Sequence, residues 1–135
     1  MTALTQGRDT PYRSGLVRTV KAEANVKVHE GALVVLAAGF AKPGVTASGL
    51  VAIGRAEQTV DNTGGAQGAL DVRVRAGVFR FANSAAGDAI TAAEIGSDCY
   101  VVDDQTVAKT SATSTRSVAG KVFDVDANGV WVEFK

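Results

Sequence analysis

The chain has few of the residues that most often carry chemistry or crosslinks: one cysteine (Cys99), one histidine (His29), one tryptophan (Trp131) and two prolines in 135 residues. A single cysteine excludes an intrachain disulfide, so burial and hydrogen bonding must hold the fold together. Zinc needs three or four clustered Cys, His or acidic ligands, and one Cys and one His at distant positions are poor material for a site. No apolar run approaches the roughly 20 residues of a membrane-spanning helix. The polar stretch TQGRDT stands where the apolar part of a signal peptide would lie. The expectation is a soluble protein made in a reducing compartment, with no membrane partner. An excess of charge is also lacking, because 14 basic and 14 acidic side chains cancel. No global field then draws the chain to nucleic acid, and protein is the expected partner.

What is abundant is valine, threonine and glycine, 15 of the last, while long helical periodicities are missing. At 13.8 kDa the chain is expected to be one all-β domain, a β-sandwich or small β-barrel of short antiparallel strands. Residues 1–22 scatter Leu4, Tyr12, Leu16 and Val17 among basic residues, with Pro11 and Gly15 opposing any long regular element. This segment reads as an extended N-terminal arm, either a strap laid on a neighbouring subunit or a frayed terminus or first edge strand. Residues 23–135 read as the β domain. Within it NVKVH alternates, ALVVLAA is a continuous apolar run, and Lys42-Pro43-Gly44 breaks the chain before GLVAIGRAEQTV. The polar, glycine-rich DNTGGAQGA, residues 61–69, reads as an exposed mobile loop.

In ALDVRVRAGVFRFAN the apolar parity switches after Gly77, which predicts a glycine bulge that returns Phe79 and Phe81 to the core. TAAEIG has the only helical signal, about one turn: Thr91 and Glu94 stand at capping-box spacing and Gly96 can end it. CYVV, the Asp103-Asp104 turn and TVAK read as a hairpin.

The last segment, DVDANGVWVEF, poses a choice. Asp124, Asp126, Asn128 and Gly129 match the first ligands and the glycine of a calcium-binding EF-hand loop, but position twelve is Lys135 where a bidentate carboxylate is required. A hairpin turn at Asn128-Gly129 accounts for more residues. It pairs Val125 with Val132 and Phe123 with Phe134 on one inward face and leaves Asp124, Asp126, Trp131 and Glu133 outside. That register opposes Asp124 to Glu133, a like-charge conflict; a four-residue loop over residues 126–129 avoids it and keeps the same parity.

Catalytic signals are thin. His29 lies beside Glu30 and Gly31 at a strand end, Cys99 precedes a strand as a small core thiol would, and neither belongs to a nucleophile or acid-base motif. The glycines lack phosphate-loop and dinucleotide spacing. Arg73, Arg75 and Arg80 with Phe79 and Phe81 suggest a basic, aromatic strand face, but core positions for the two Phe fit better than nucleic-acid stacking. No enzyme and no cofactor are expected.

Three stretches carry a resemblance: the glycine-rich strand AGVFRF, the segment GSDCYVVDDQTV and the closing hairpin AGKVFDVDANGVWVEF. Together they cover about half of the chain, and in pattern they resemble small capsid decoration, or cement, proteins of tailed bacteriophages. The resemblance implies a non-catalytic all-β virion protein, made in the host cytoplasm. It implies a place on the outer capsid surface, where it bridges major capsid protein subunits and reinforces the shell. Such proteins include trimers and dimers, and a trimer is favoured here. The capsid or subunit contacts expected from exposure and position are Leu4, Tyr12, Arg13, Leu16 and Val17. A tail or baseplate β module and a small carbohydrate- or ligand-binding β domain are the alternatives, the latter depending on whether Trp131 lies exposed in a concave site.

Overall fold

The computed structural model describes residues 2–135. Twelve strands alternate with short turns: β1 (Val17–Lys21), β2 (Lys27–Val28), β3 (Leu33–Ala37), β4 (Phe40–Pro43), β5 (Val51–Ala56) and β6 (Val60–Asp61), then β7 (Asp71–Arg75), β8 (Gly77–Asn83), β9 (Asp98–Val101), β10 (Thr106–Ala108), β11 (Val118–Asp126) and β12 (Gly129–Phe134). The only helical pieces among the described residues are two 3-10 turns, Ala86–Asp88 and Ala92–Glu94. The chain is all-β, as its composition indicates.

Strands β1-β7-β5-β3-β4 form one sheet, β2 and β6 form a short ribbon, and β10-β8-β12-β11-β9 close into a small barrel. Between the described strands the pairing is antiparallel except for the parallel β8–β10 contact in the barrel. The five-stranded sheet curls until Ala22, just past β1, bridges Ala41 of β4.

The continuous apolar run in β3 has a direct cause, because both of its faces are buried. Leu33 and Val35 face a core shared with Phe81, Val101, Val130 and Val132 of the barrel. Val34 faces a second core with Ile53, Val72 and Val74. A strand buried on one face alternates, and a strand buried on both does not. The reading of Lys42-Pro43-Gly44 as a break is corrected at its start: Phe40–Pro43 is the edge strand β4, where the missing N–H of Pro43 is tolerated, and the chain leaves the sheet at Gly44.

Gly77 has a larger role than a bulge within one strand. With φ +143, a conformation open mainly to glycine, it opens β8 of the barrel one residue after Ala76 leaves β7 of the sheet, and so carries the chain from one to the other. The joint is fastened by side chains. The Arg55 guanidinium lies 4.5 Å above the Phe79 ring, and Glu57 accepts from Arg55 at 2.9 Å and from Arg75 at 3.0 Å. Phe81 is buried and meets Phe134 edge-on at 5.9 Å, so this Phe is core as the sequence suggests.

Two local readings hold and two are corrected. Thr91 caps the second 3-10 turn, accepting from Ala93 N while Glu94 accepts from Thr91 N at 3.0 Å, a complete capping box. The β9–β10 hairpin forms around Asp103-Asp104, with Asp103 accepting from Gln105 N at 2.9 Å. The segment 61–69 is not a free loop. Asn62 is buried, its side-chain amide donates to the carbonyls of Glu23 at 2.8 Å and Ala66 at 3.1 Å, and Gly68 N donates to Ala22 O. The arm also divides: residues 17–21 are β1, registered along its length against β7, so the described stretch ahead of the strand is 2–16. There Leu16 O accepts from Ala76 N at 2.7 Å.

Candidate functional site

The closing hairpin produces the most distinctive surface of the molecule. Its turn is Ala127-Asn128 rather than Asn128-Gly129, with Asp126 opposite Gly129 and Val125 opposite Val130. This is the register of the four-residue alternative near the turn. Further along, a β-bulge between Val122 and Asp124 resets the pairing, so that Val122 opposes Val132 and Lys121 opposes Glu133. The position of the turn removes the like-charge conflict, because it sets Asp124 against Trp131. The bulge overturns the expected core position of Phe123. Val122 takes the inward place, 1% exposed, and Phe123 is turned out with 57% of its surface exposed.

Phe123 therefore joins Trp131, Val78 and Asp124 around an open hollow on the outer face of the barrel. Trp131 is half-buried and its orientation is fixed. Its indole N–H donates to Asp126 Oδ2 at 2.9 Å, while Asp126 Oδ1 accepts from Asn128 N at 2.7 Å. The Trp131 bond, followed by that of Asn128, holds the Asp126 carboxyl below the usual carboxylate range. On the side away from Asp124, the Arg80 guanidinium lies 5.7 Å from the indole centroid. The second carboxylate of the EF-hand-like sequence, Asp126, is thus committed to the turn and the indole. Among the described residues no three His, Cys, Asp or Glu side chains gather as a metal site would require.

The residues singled out as contacts lie ahead of β1 or at its first position. Leu4, Tyr12 and Leu16 are 72%, 98% and 56% exposed, Arg13 is exposed, and Val17 opens β1. They follow one another along an extended segment and do not converge on a pocket. A second hollow, lined by Leu50, Val51, Val118 and Phe134, lies between β5 and the barrel.

The other candidates separate. Arg73 and Arg75 belong to the sheet and Arg80 to the barrel, so the basic face read along one strand is split between two surfaces. His29 borders a shallow polar hollow with Glu30, Asp104 and Gln105. Cys99 is buried, its Sγ 3.5 Å from Gly120 O, and burial pushes the thiol up to about 12. No described helix is long and apolar enough to cross a membrane.

The meeting of Phe123 with Trp131 escaped the sequence reading, since alternation places Phe123 inward and nothing in the residues marks the bulge that turns it out. Comparison with protein-family models, with curated proteins and with solved structures finds no match for this chain.

Proposed function

We propose that the chain is a structural virion protein that binds the outer surface of a phage capsid and bridges major capsid protein subunits. It acts without catalysis, cofactor, nucleic acid or membrane, as an oligomer for which a trimer is favoured over a dimer. The observation that supports this reading is the arm: residues 2–16 present Leu4, Tyr12 and Leu16 to solvent and root in a hydrogen-bonded strand of a rigid β body. Apolar side chains on an extended tether gain by burial against a partner, and repeated contacts over a symmetric lattice add through multivalency. The sequence resemblance to decoration proteins points the same way.

The test is co-sedimentation with expanded, undecorated capsids of the source virus. Saturable binding at a fixed ratio to the major capsid protein is expected, weakened by deleting residues 2–15, which leaves β1 and the Leu16–Ala76 bond in place. Absence of binding at micromolar protein, or full binding without the arm, overturns the reading. A ligand-binding β domain is the second reading, favoured by one observation: Trp131 borders an open hollow beside an exposed Phe. A tail or baseplate module has no separate observation in its favour.

A further inference from the structure

We infer that the Phe123–Trp131 hollow receives the Tyr12–Arg13 segment of the arm of a second copy of this chain. The inference rests on the self-association proposed above and adds the receptor surface and the residues on both sides.

The hollow has a definite chemistry. Two aromatic rings form its walls, and one of them, Phe123, is exposed only because the bulge turns it away from the core. Two carboxylates flank the rings: Asp124 lies opposite Trp131, and Glu133 follows on the same outward parity of β12, opposite Val78. Among the described residues neither forms an ion pair, since Lys121, across from Glu133, is taken by Asp98 at 2.7 Å. Aromatic faces beside unpaired carboxylates suit a cationic side chain carried next to apolar or aromatic ones.

The arm has the complementary chemistry. Pro11-Tyr12-Arg13 places a ring that is 98% exposed next to a guanidinium, and Arg8 and Arg13 outnumber Asp9 over residues 2–16. Neither arginine forms an ion pair among the described residues. Fifteen extended residues span about 50 Å, while a compact chain of this length has a radius of gyration of about 14 Å. Tyr12 itself, four residues from the anchored Leu16, reaches about 14 Å, enough to meet a copy packed directly alongside. No described arm residue lines its own copy's hollow, and Tyr12 stays in solvent. Seating Tyr12 and Arg13 on a neighbour leaves the distal residues, including Leu4, free for the capsid.

Trp131 is the only tryptophan, so its emission reports on the hollow directly. The experiment uses the full chain and the chain lacking residues 2–15, followed by sedimentation velocity and Trp131 fluorescence over a range of protein concentrations. The full chain is expected to gain mass with concentration while Trp131 emission shifts in parallel. The shortened chain stays monomeric, and a synthetic peptide of residues 2–16 restores the shift. Arg13→Glu in the peptide weakens its binding by about tenfold, and Asp124→Lys in the receptor recovers part of the loss.

Three outcomes overturn the inference: association undiminished without the arm, a Trp131 shift in the full chain that is independent of concentration and so reports its own arm, or a Trp131 response to simple saccharides and none to the peptide. Self-association without capsid binding refutes the decoration reading and keeps this one. Capsid binding by a chain whose Trp131 ignores the peptide does the reverse.

Discussion

Asp88 and Arg116, 28 residues apart, meet at 2.6 Å and close the segment that contains three consecutive left-handed residues. Ala112, Thr113 and Ser114 have φ of 50°, 60° and 62°, a conformation that non-glycine residues adopt at a cost. Asp88 Oδ1 also accepts from the Thr110 hydroxyl at 2.7 Å and from Thr110 N at 3.1 Å, so one carboxylate holds the start and the end of this turn. Asp88→Ala is expected to cost about 1–3 kcal/mol, the range for a lost charged hydrogen-bonding group with partly buried partners. Urea denaturation measures it.

The same carboxyl sets a pH dependence. Its bond to Arg116, and next that to Thr110, lower its pKa from the ordinary 3.8. A group whose folded pKa is depressed contributes fully above the unfolded value and loses that contribution as pH falls through the folded one. Stability should therefore decline on the acid side below about 4, and less steeply in Asp88→Ala. Parallel acid titrations of the two proteins check this.

Phe81 and Phe123 should differ widely although both are strand phenylalanines of the barrel. Phe81→Ala opens the shared core and is expected to cost about 3–5 kcal/mol. Phe123→Ala removes a ring that is mostly in solvent and should change stability by no more than about 0.5 kcal/mol. Comparable losses for both would mean that Phe123 faces the core and the bulge is absent.

Cys99 should resist thiol reagents in the native protein. Desolvation is the largest cause of its raised pKa, moved from 9.0 to about 12, and thiolate is the reactive form. At pH 8 its labelling should follow unfolding, slow in buffer and complete in denaturant. Because the folded pKa is the higher one, the stabilisation is present below 9.0 and is lost as pH rises towards about 12.

Asp126 should tie the acid response of Trp131 to the hairpin. Its carboxyl is depressed first by the indole bond, so Trp131 emission is expected to stay constant down through the usual carboxylate range and to change only below it. Asp126→Ala removes the acceptor at every pH. Its spectrum should resemble that of the acidified wild type, and an unaltered spectrum would show that the bond is absent in solution.

Local chemistry was legible wherever a short pattern carries its own cause. Thr91 and Glu94 specify a cap by spacing alone, and the unbroken LVVLA run announces a strand buried on both sides, though not that two cores lie against it. Asn62 was not legible as an anchor, because a side chain that donates to distant carbonyls leaves no periodic trace among glycines. Phe123 misled for a related reason: alternation assigns faces only while the register is constant, and the bulge is a tertiary choice that puts Val122 opposite Val132 and turns Phe123 out. The arm's boundary was hidden because RTVK reads as a strand only once β7 lies beside it. For the candidate site, Trp131, Asp124 and Glu133 were placed on the outer face correctly, and their meeting with Phe123 and Val78 needed the fold.

The anchoring of the arm has a mechanical side. When a pull on residues 2–16 is directed along β1, the antiparallel pairs from Val17–Arg75 to Lys21–Asp71 lie across it. Such a load stretches the ladder in shear, with its bonds sharing the force, whereas a pull across the strand would open them one after another as a zipper opens. The neighbour of β1 is β7, itself held by β5, so the tension passes into the middle of the sheet. A tether rooted in this way can bear a sustained load while the body behind it keeps its shape.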